Sequence, residues 1–238
     1  MALVTAKNIS KVYRMGSEEI RATDDVSLDI EEGEYVVIMG PSGSGKSTLM
    51  HLLSCLDTPN TGTLNIFDTD IMSAKDDDLA KLRSEYIGFI FQKFHLIPHL
   101  SALENVALPL VFQNVKKIER EERAEKVLST VGLGDRLHHV PSELSGGQQQ
   151  RVAIARSLVT EPKVLFADEP TGNLDSESGR NILKVLDKLH KQGKTVIVVT
   201  HDVAMKNMGT RLIEVKDGKI QEDNVVTDRV SPSSFGNS

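Results

Sequence analysis

Three stretches of the chain combine residue types at spacings suited to a phosphorylated substrate. The first runs Gly40-Pro41-Ser42-Gly43-Ser44-Gly45-Lys46-Ser47, followed by Thr48. It fits G-x-x-x-x-G-K-[ST], set between the apolar run Tyr35–Met39, which reads as a strand, and a helix expected from Ser47. Glycines let the backbone wrap closely, so that successive N–H groups and a helix N-terminus aim at phosphate oxygens. Lys46 adds a point charge for β- and γ-phosphates, and the Ser47 hydroxyl suits Mg²⁺. A Gly-Ser turn would show the same composition; the strand–loop–helix setting is what marks a phosphate loop. The second stretch is the apolar strand Val164–Ala167, which ends in Asp168-Glu169. A buried strand emerging into paired acids places them at the carboxyl edge of a sheet, beside the phosphate loop. Asp168 is then the partner of Mg²⁺, directly or through water, and Glu169 the candidate general base or water-orienting group. The third, Leu144-Ser145-Gly146-Gly147-Gln148, opens a helix expected over Gln149–Leu158 and makes another anion cradle, with Ser145 Oγ as a donor.

The elements that must hold these groups follow from periodicity. Leu3–Tyr13, Val26–Ile30 and Thr63–Phe67 read as strands of a small N-terminal β region, and Ser73 with Asp76 as a capping box before Leu79 and Leu82. Tyr86–Phe91 is a buried-strand candidate. From Gln92 to about Thr160 strand signals vanish, and Ala124, Val127, Leu128 and Val131 share one helical face. Strands return at Val164–Ala167, Thr195–Thr200 and Arg211–Val215, with a helix expected from about Ser178 to Gln192 and stopped by Gly193. Alternating buried strands and helices imply a parallel α/β sheet, with the helical stretch as an inserted subdomain. Val225–Ser238, rich in Ser and Asn, is expected to be disordered. The 238 residues carry 28 Lys+Arg against 34 Asp+Glu, a net charge of −6 that disfavours a nucleic-acid partner. One cysteine, Cys55, excludes an internal disulfide and suits a reducing compartment. With no apolar run near the ~18 residues of a membrane span and no signal-peptide stretch, a soluble cytosolic chain is expected.

The LSGGQ stretch, with a phosphate loop before it and an Asp-Glu strand after it, resembles the ATP-binding cassette (ABC) ATPases. The resemblance covers Tyr13 to about Gly218. It implies a P-loop NTPase parallel-sheet core with an N-terminal antiparallel β subdomain and an inserted helical subdomain. Residues 1–224 would form a single ATPase domain, with 1–92 and 161–220 as core, 93–160 helical and 225–238 as tail. Gln92 resembles the family glutamine that touches Mg²⁺ and the membrane partner. His201, after strand Thr195–Thr200, resembles the switch histidine that contacts the γ-phosphate and the catalytic glutamate. Leu174-Asp175 resembles the loop that crosses the dimer interface, and Tyr13 the aromatic that stacks on adenine. Stretches such as Tyr13-Arg-Met-Gly16, Glu104-Asn105-Val106 and Glu169-Pro-Thr-Gly-Asn-Leu-Asp175 are similar to the lipoprotein-releasing and macrolide-efflux type.

The family resemblance implies an ATP hydrolase that uses ATP and Mg²⁺. Its site would comprise Lys46, Glu169 and His201 in catalysis, with Ser47, Gln92 and Asp168 at the metal. Nucleotide would lie on Tyr13, Gly40, Pro41, Ser42, Gly43, Ser44, Gly45, Lys46, Ser47, Thr48 and Gln92, and on Ser145, Gly147 and Gln148 of a second subunit. Head-to-tail pairing and a separate integral membrane permease, which would hold the chain at the cytoplasmic face of the membrane, are implied with it. A rival is an ABC-type ATPase that works on DNA or ribosomes. DNA-repair relatives place a long coiled coil between the phosphate loop and LSGGQ, whereas Ser47 and Ser145 stand 98 residues apart. Translation-factor relatives carry two cassettes in one chain, and this chain has one. A purely regulatory nucleotide-binding module is disfavoured by the intact Lys46, Asp168, Glu169 and His201.

Overall fold

The computed structural model describes residues 2–16 and 18–232. Two long antiparallel strands come first, Ala2–Met15 (β1) and Glu18–Glu31 (β2). In β2, Val26, Leu28 and Ile30 point inward between exposed neighbours, the period-2 pattern of a half-buried strand. Then follow Tyr35–Met39 (β3), Lys46–Leu53 (α1), Thr61–Ile66 (β4), Thr69–Asp70 (β5), Asp76–Tyr86 (α2) and Ile87–Ile90 (β6). Ala102–Phe112 (α3), Lys117–Thr130 (α4) and Gly146–Leu158 (α5) form the helical stretch. Val164–Asp168 (β7), Ser176–Lys191 (α6), Thr195–Thr200 (β8), Arg211–Lys216 (β9) and Lys219–Val225 (β10) complete the order.

The strands form a four-stranded sheet, β2-β1-β4-β5, and a six-stranded sheet, β10-β9-β3-β8-β7-β6. In the second sheet every pairing is parallel except β9 with β10. Because β3 and β8 are buried along their whole length, alternate residues feed two cores. Tyr35, Val37, Met39, Val196 and Val198 pack with α3, α4, α5 and α6, while Val36, Ile38, Ile197 and Val199 pack with α1, α2 and the antiparallel sheet. This is the mixed α/β arrangement read from the sequence, and it leaves the carboxyl ends of β3, β7 and β8 as one edge.

Several local expectations are corrected. α2 starts at Asp76 with Lys75 as an uncapped N-cap; Ser73 bonds back to Asp70 instead of forming a capping box. Its first turn draws on the acids Asp76, Asp77 and Asp78, which favour the positive end of a helix dipole. Residues 92–101 are not helical. The buried Asn105 holds that loop by accepting from the Ile97 amide at 2.8 Å and donating to the carbonyls of Leu100 and Ser101. β10, exposed except at the half-buried Ile220, was not foreseen, because an exposed edge strand has no apolar alternation to read.

The tail is also corrected as far as residue 232. Val225 ends β10, the Val226 amide donates to the Thr210 carbonyl, and the Val230 amide to the Asn207 carbonyl. Arg229 donates to the Met208 carbonyl and to Asp187 Oδ1, each at 2.7 Å, with its guanidinium 5.4 Å from the Tyr35 ring centre. Residues 233–238 lie outside the described residues. Arg229→Ala removes a cation–π contact and a charged hydrogen bond over the fully buried Tyr35, so unfolding stability falls by about 1–3 kcal/mol. Urea denaturation should show a lower midpoint at unchanged slope.

Candidate nucleotide site

The phosphate loop leaves β3 at its carboxyl end and enters α1. Gly45 caps α1 with φ +98°, in the left-handed region, and a Cβ there would lie 2.1 Å from the Ala22 carbonyl oxygen of β2. A Cβ on Gly40 would lie 2.0 Å from the Val215 carbonyl oxygen. Glycine is therefore a packing requirement at both ends of the loop. The far wall is the β9–β10 turn, where the Gly218 amide donates to the Ser44 carbonyl at 2.9 Å. Pro41, Ser42 and Gly43 are exposed. A cavity of about 450 Å³ lies between Gly43–Thr48, Ile20–Ala22 and Asp217–Gly218.

The polar groups of this loop have few partners within the chain. α1 has no side-chain cap, so its first N–H groups are open to a ligand. Ser44 Oγ is buried without a hydrogen-bond partner. Lys46 Nζ donates to the Pro41 carbonyl at 2.8 Å, which folds the ammonium over the loop. Burial pulls the Lys46 pKa below its ordinary range, and Glu169 and Asp168 pull it back. Across the loop, burial pushes the Asp168 carboxyl up, opposed chiefly by His51, while Glu169 adds to the rise. Ser47 Oγ stands 3.4 Å from Asp168 Oδ1. A desolvated ammonium, open N–H groups and an orphaned hydroxyl fit a phosphate chain, and two hard oxygen donors side by side fit Mg²⁺.

Glu169 follows β7 with φ +45°, its amide donating to the Val199 carbonyl at 2.9 Å. That turns its side chain toward the end of β8. Glu169 Oε1 accepts from the His201 amide at 3.1 Å and lies 2.6 Å from His201 Nδ1. A carboxylate can only accept, so Nδ1 carries the proton of this contact and Nε2 is the free ring nitrogen. The structure thus brings Lys46, Ser47, Asp168, Glu169 and His201 to one sheet edge.

The second anion cradle is built differently. Ser145 Oγ accepts from the Gln148 amide at 3.3 Å, and Gln148 Oε1 accepts from the Ser145 amide at 2.9 Å, a reciprocal cap on α5. Helix α5 therefore starts at Gly146, three residues before the expected Gln149. Gly147 is buried against α6, where a Cβ would lie 2.7 Å from Ser178 Oγ. Gly146, by contrast, is exposed. Among the described residues, no hydrogen bond joins Ser145–Gln148 to the phosphate loop. Asp175 caps α6 by accepting from the Glu177 and Ser178 amides, and the Ser178 hydroxyl first, with those amides after it, holds its carboxyl below the usual range.

Gln92 and Tyr13 sit further out. The Gln92 amide packs on Gly172, where a Cβ would lie 2.8 Å from its Nε2. The Asn173 amide group donates to the Gln92 carbonyl at 3.0 Å. No hydrogen bond among the described residues links Gln92 to Ser47 or Asp168. Tyr13 donates to Asp57 Oδ2 at 2.8 Å, with Lys11 Nζ 5.3 Å from its ring centre, and stays 37% exposed, enough to leave part of the ring accessible.

Sequence reasoning missed other parts of the site. Residues 20–22 and 217–218 wall the cavity and carry no motif. Gln150 lies fully buried on α5; its amide donates to the Pro170 carbonyl at 2.9 Å and comes within 3.5 Å of the Phe91 carbonyl. A polar residue on the inward face of an apolar helical pattern was the signal available there.

Comparison with known proteins places this geometry. The family model described as ABC transporter matches residues 23–172. The ABC transporter ATP-binding protein YvrO of Bacillus subtilis is 49% identical over 221 residues, covering 93% of this chain and 96% of that protein. The macrolide export ATP-binding/permease protein MacB of Bdellovibrio bacteriovorus is also 49% identical over 221 residues, but the chain spans only 34% of its length. The ATP-binding cassette MJ0796, solved as a dimer in a post-hydrolysis state with ADP and Pi, superposes with a TM-score of 0.86. It is 47% identical and covers 94% of this chain and 98% of that one. The chain therefore belongs to the ABC transporter family, and with it to the ATP-hydrolysing cassettes.

Proposed function

We propose that this chain is the ATP-hydrolysing subunit of an ABC transporter, paired head to tail with a second copy and driving a separate membrane subunit. One observation carries the reading: the chain presents two glycine-rich helix N-termini, at α1 and α5, between which no hydrogen bond runs among the described residues. Facing each other across two copies, they make two composite sites. The dimeric MJ0796 cassette supports the pairing. MacB supports the membrane partner, being named an ATP-binding/permease protein of which this chain matches about a third. No helix among the described residues is long and apolar enough to cross a membrane; in this reading the transport path belongs to the membrane subunit, which holds the ATPase at the cytoplasmic face. Residues 1–224 would act as one ATPase domain.

In hydrolysis a water oxygen attacks the γ-phosphorus, the bond to the β–γ bridging oxygen breaks, and ADP leaves. Glu169 takes the water's proton, and His201, hydrogen-bonded to Glu169 through Nδ1–H, turns Nε2 toward the γ-phosphate, to which it donates when that nitrogen also carries a proton. Lys46 and the N–H groups of residues 43–48 meet the phosphate charge. Tyr13 would stack on adenine. From the partner copy, Ser145, Gly147 and Gln148 close over the γ-phosphate. Ser47 and Asp168, with Gln92 by resemblance, would hold Mg²⁺, which neutralises charge on the phosphate oxygens.

If the active unit is the pair, the specific ATPase rate rises with protein concentration to a plateau. Ser145→Arg places a bulky cation at the closing face and lowers that plateau at least about tenfold, with ATP binding retained because residues 40–48 are untouched. A specific rate constant down to very dilute protein would mean that one chain suffices.

A further inference from the structure

His201 holds only one oxygen of Glu169. The other, Oε2, lies 3.2 Å from the hydroxyl of Thr200, the last residue of β8, which is 0% exposed. The direction of that bond is determined by a second contact. The Asp202 amide donates to the same Thr200 hydroxyl at 3.0 Å, so the hydroxyl proton is directed at the carboxylate. Glu169 is thereby gripped at both ends, Oε1 by His201 and Oε2 by Thr200. With one grip removed, the carboxylate plane can turn about its terminal torsion, which has a broad energy profile.

We propose that Thr200 is a positioning residue for ATP hydrolysis, its hydroxyl fixing the plane in which Glu169 meets the attacking water. The inference rests on the reading of Glu169 as the group that prepares that water. A plain structural alternative exists: the Thr200 methyl fills the core and its hydroxyl merely satisfies the Asp202 amide. That role would alter stability without touching the chemical step selectively.

The two are separated by steady-state ATPase kinetics and ATP binding of Thr200→Val and Thr200→Ser, each made in the unaltered chain and in Glu169→Gln. Thr200→Val keeps the shape and loses the donor; kcat is expected to fall about ten- to a hundredfold, with KM for Mg-ATP within about threefold. Thr200→Ser keeps the donor and should retain kcat within about threefold. In the Glu169→Gln background, Thr200→Val should cost less than about twofold more, since both changes act through one carboxylate. Equal losses for Val and Ser, a kcat for Val within about twofold of the unaltered chain, or losses that multiply in the double variant would each overturn the proposal. Should the Val variant fail to fold, the Ser and Ala variants at this position carry the same comparison. Full activity of Glu169→Gln alone would instead remove the reading of Glu169, and this proposal with it.

Discussion

Glu169→Gln should leave ATP binding intact while single-turnover hydrolysis at saturating Mg-ATP falls about 10²–10⁴-fold, the range for loss of a positioned base. The amide keeps the size of the side chain but has a single acceptor oxygen, so it can keep the contact with His201 or with Thr200 and not both, while the basicity is lost altogether. Binding should survive because the proposed phosphate contacts, Lys46 and the backbone of residues 43–48, are not touched by the change. Removing a negative charge from beside Lys46 should tighten ATP binding. With hydrolysis slowed, the ATP-bound pair accumulates, and on a sizing column with ATP the variant should elute near twice the chain mass of 26.2 kDa. A single-turnover rate within threefold of the unaltered chain would end the assignment of Glu169.

Gly45→Ala should be nearly as damaging for an unrelated reason. The residue has φ +98°, and the added methyl would sit 2.1 Å from a backbone carbonyl of β2, not from a side chain able to swing away. The clash forces apart the phosphate loop and β2 and drags with them the first turn of α1, whose N–H groups form the cradle. ATP affinity is expected to drop at least about a hundredfold, with stability lower by about 1–3 kcal/mol from backbone strain. Equilibrium titration with a fluorescent ATP analogue measures the first effect and thermal melting without nucleotide the second. Gly43→Ala is the comparison: φ is also positive at +77°, but a Cβ there meets no atom of the chain within 4 Å, so the clash with β2 is absent.

The central strands were legible because full burial writes itself as uninterrupted runs, YVVIM and TVIVVT. The phosphate loop was legible because its glycines and Lys46 are needed at fixed offsets from a strand end. What could not be read has a common physical cause: it depends on backbone groups or on pairings between distant segments. The Ser44 hydroxyl is orphaned because of how the loop folds, not because of its neighbours in sequence. Thr200 looks like one more β-branched residue until Glu169, 31 residues earlier, is seen to turn toward it. Gly147 reads as an anion cradle, yet its lack of a side chain is required first by Ser178 of α6. The tail misled in the other direction: its polar composition suggests disorder, while Arg229 finds Asp187, Tyr35 and the Met208 carbonyl in one place.

The buried amide of Gln150 reaches two backbones, at Phe91 just before Gln92 and at Pro170 just after Glu169. Neither of those segments is stabilised only by its own turns. Opening either one withdraws an acceptor from this buried amide, a cost that couples both segments to α5. The exposed Gln92 loop and the residues after Glu169 therefore belong to one unit of local unfolding, whose opening free energy is set by the packing of α5 rather than by the loops themselves. Slow amide exchange in α5 and in the residues flanking Phe91 and Pro170 would share a single rate, and a core substitution in α5 far from any phosphate would loosen the catalytic edge as a whole.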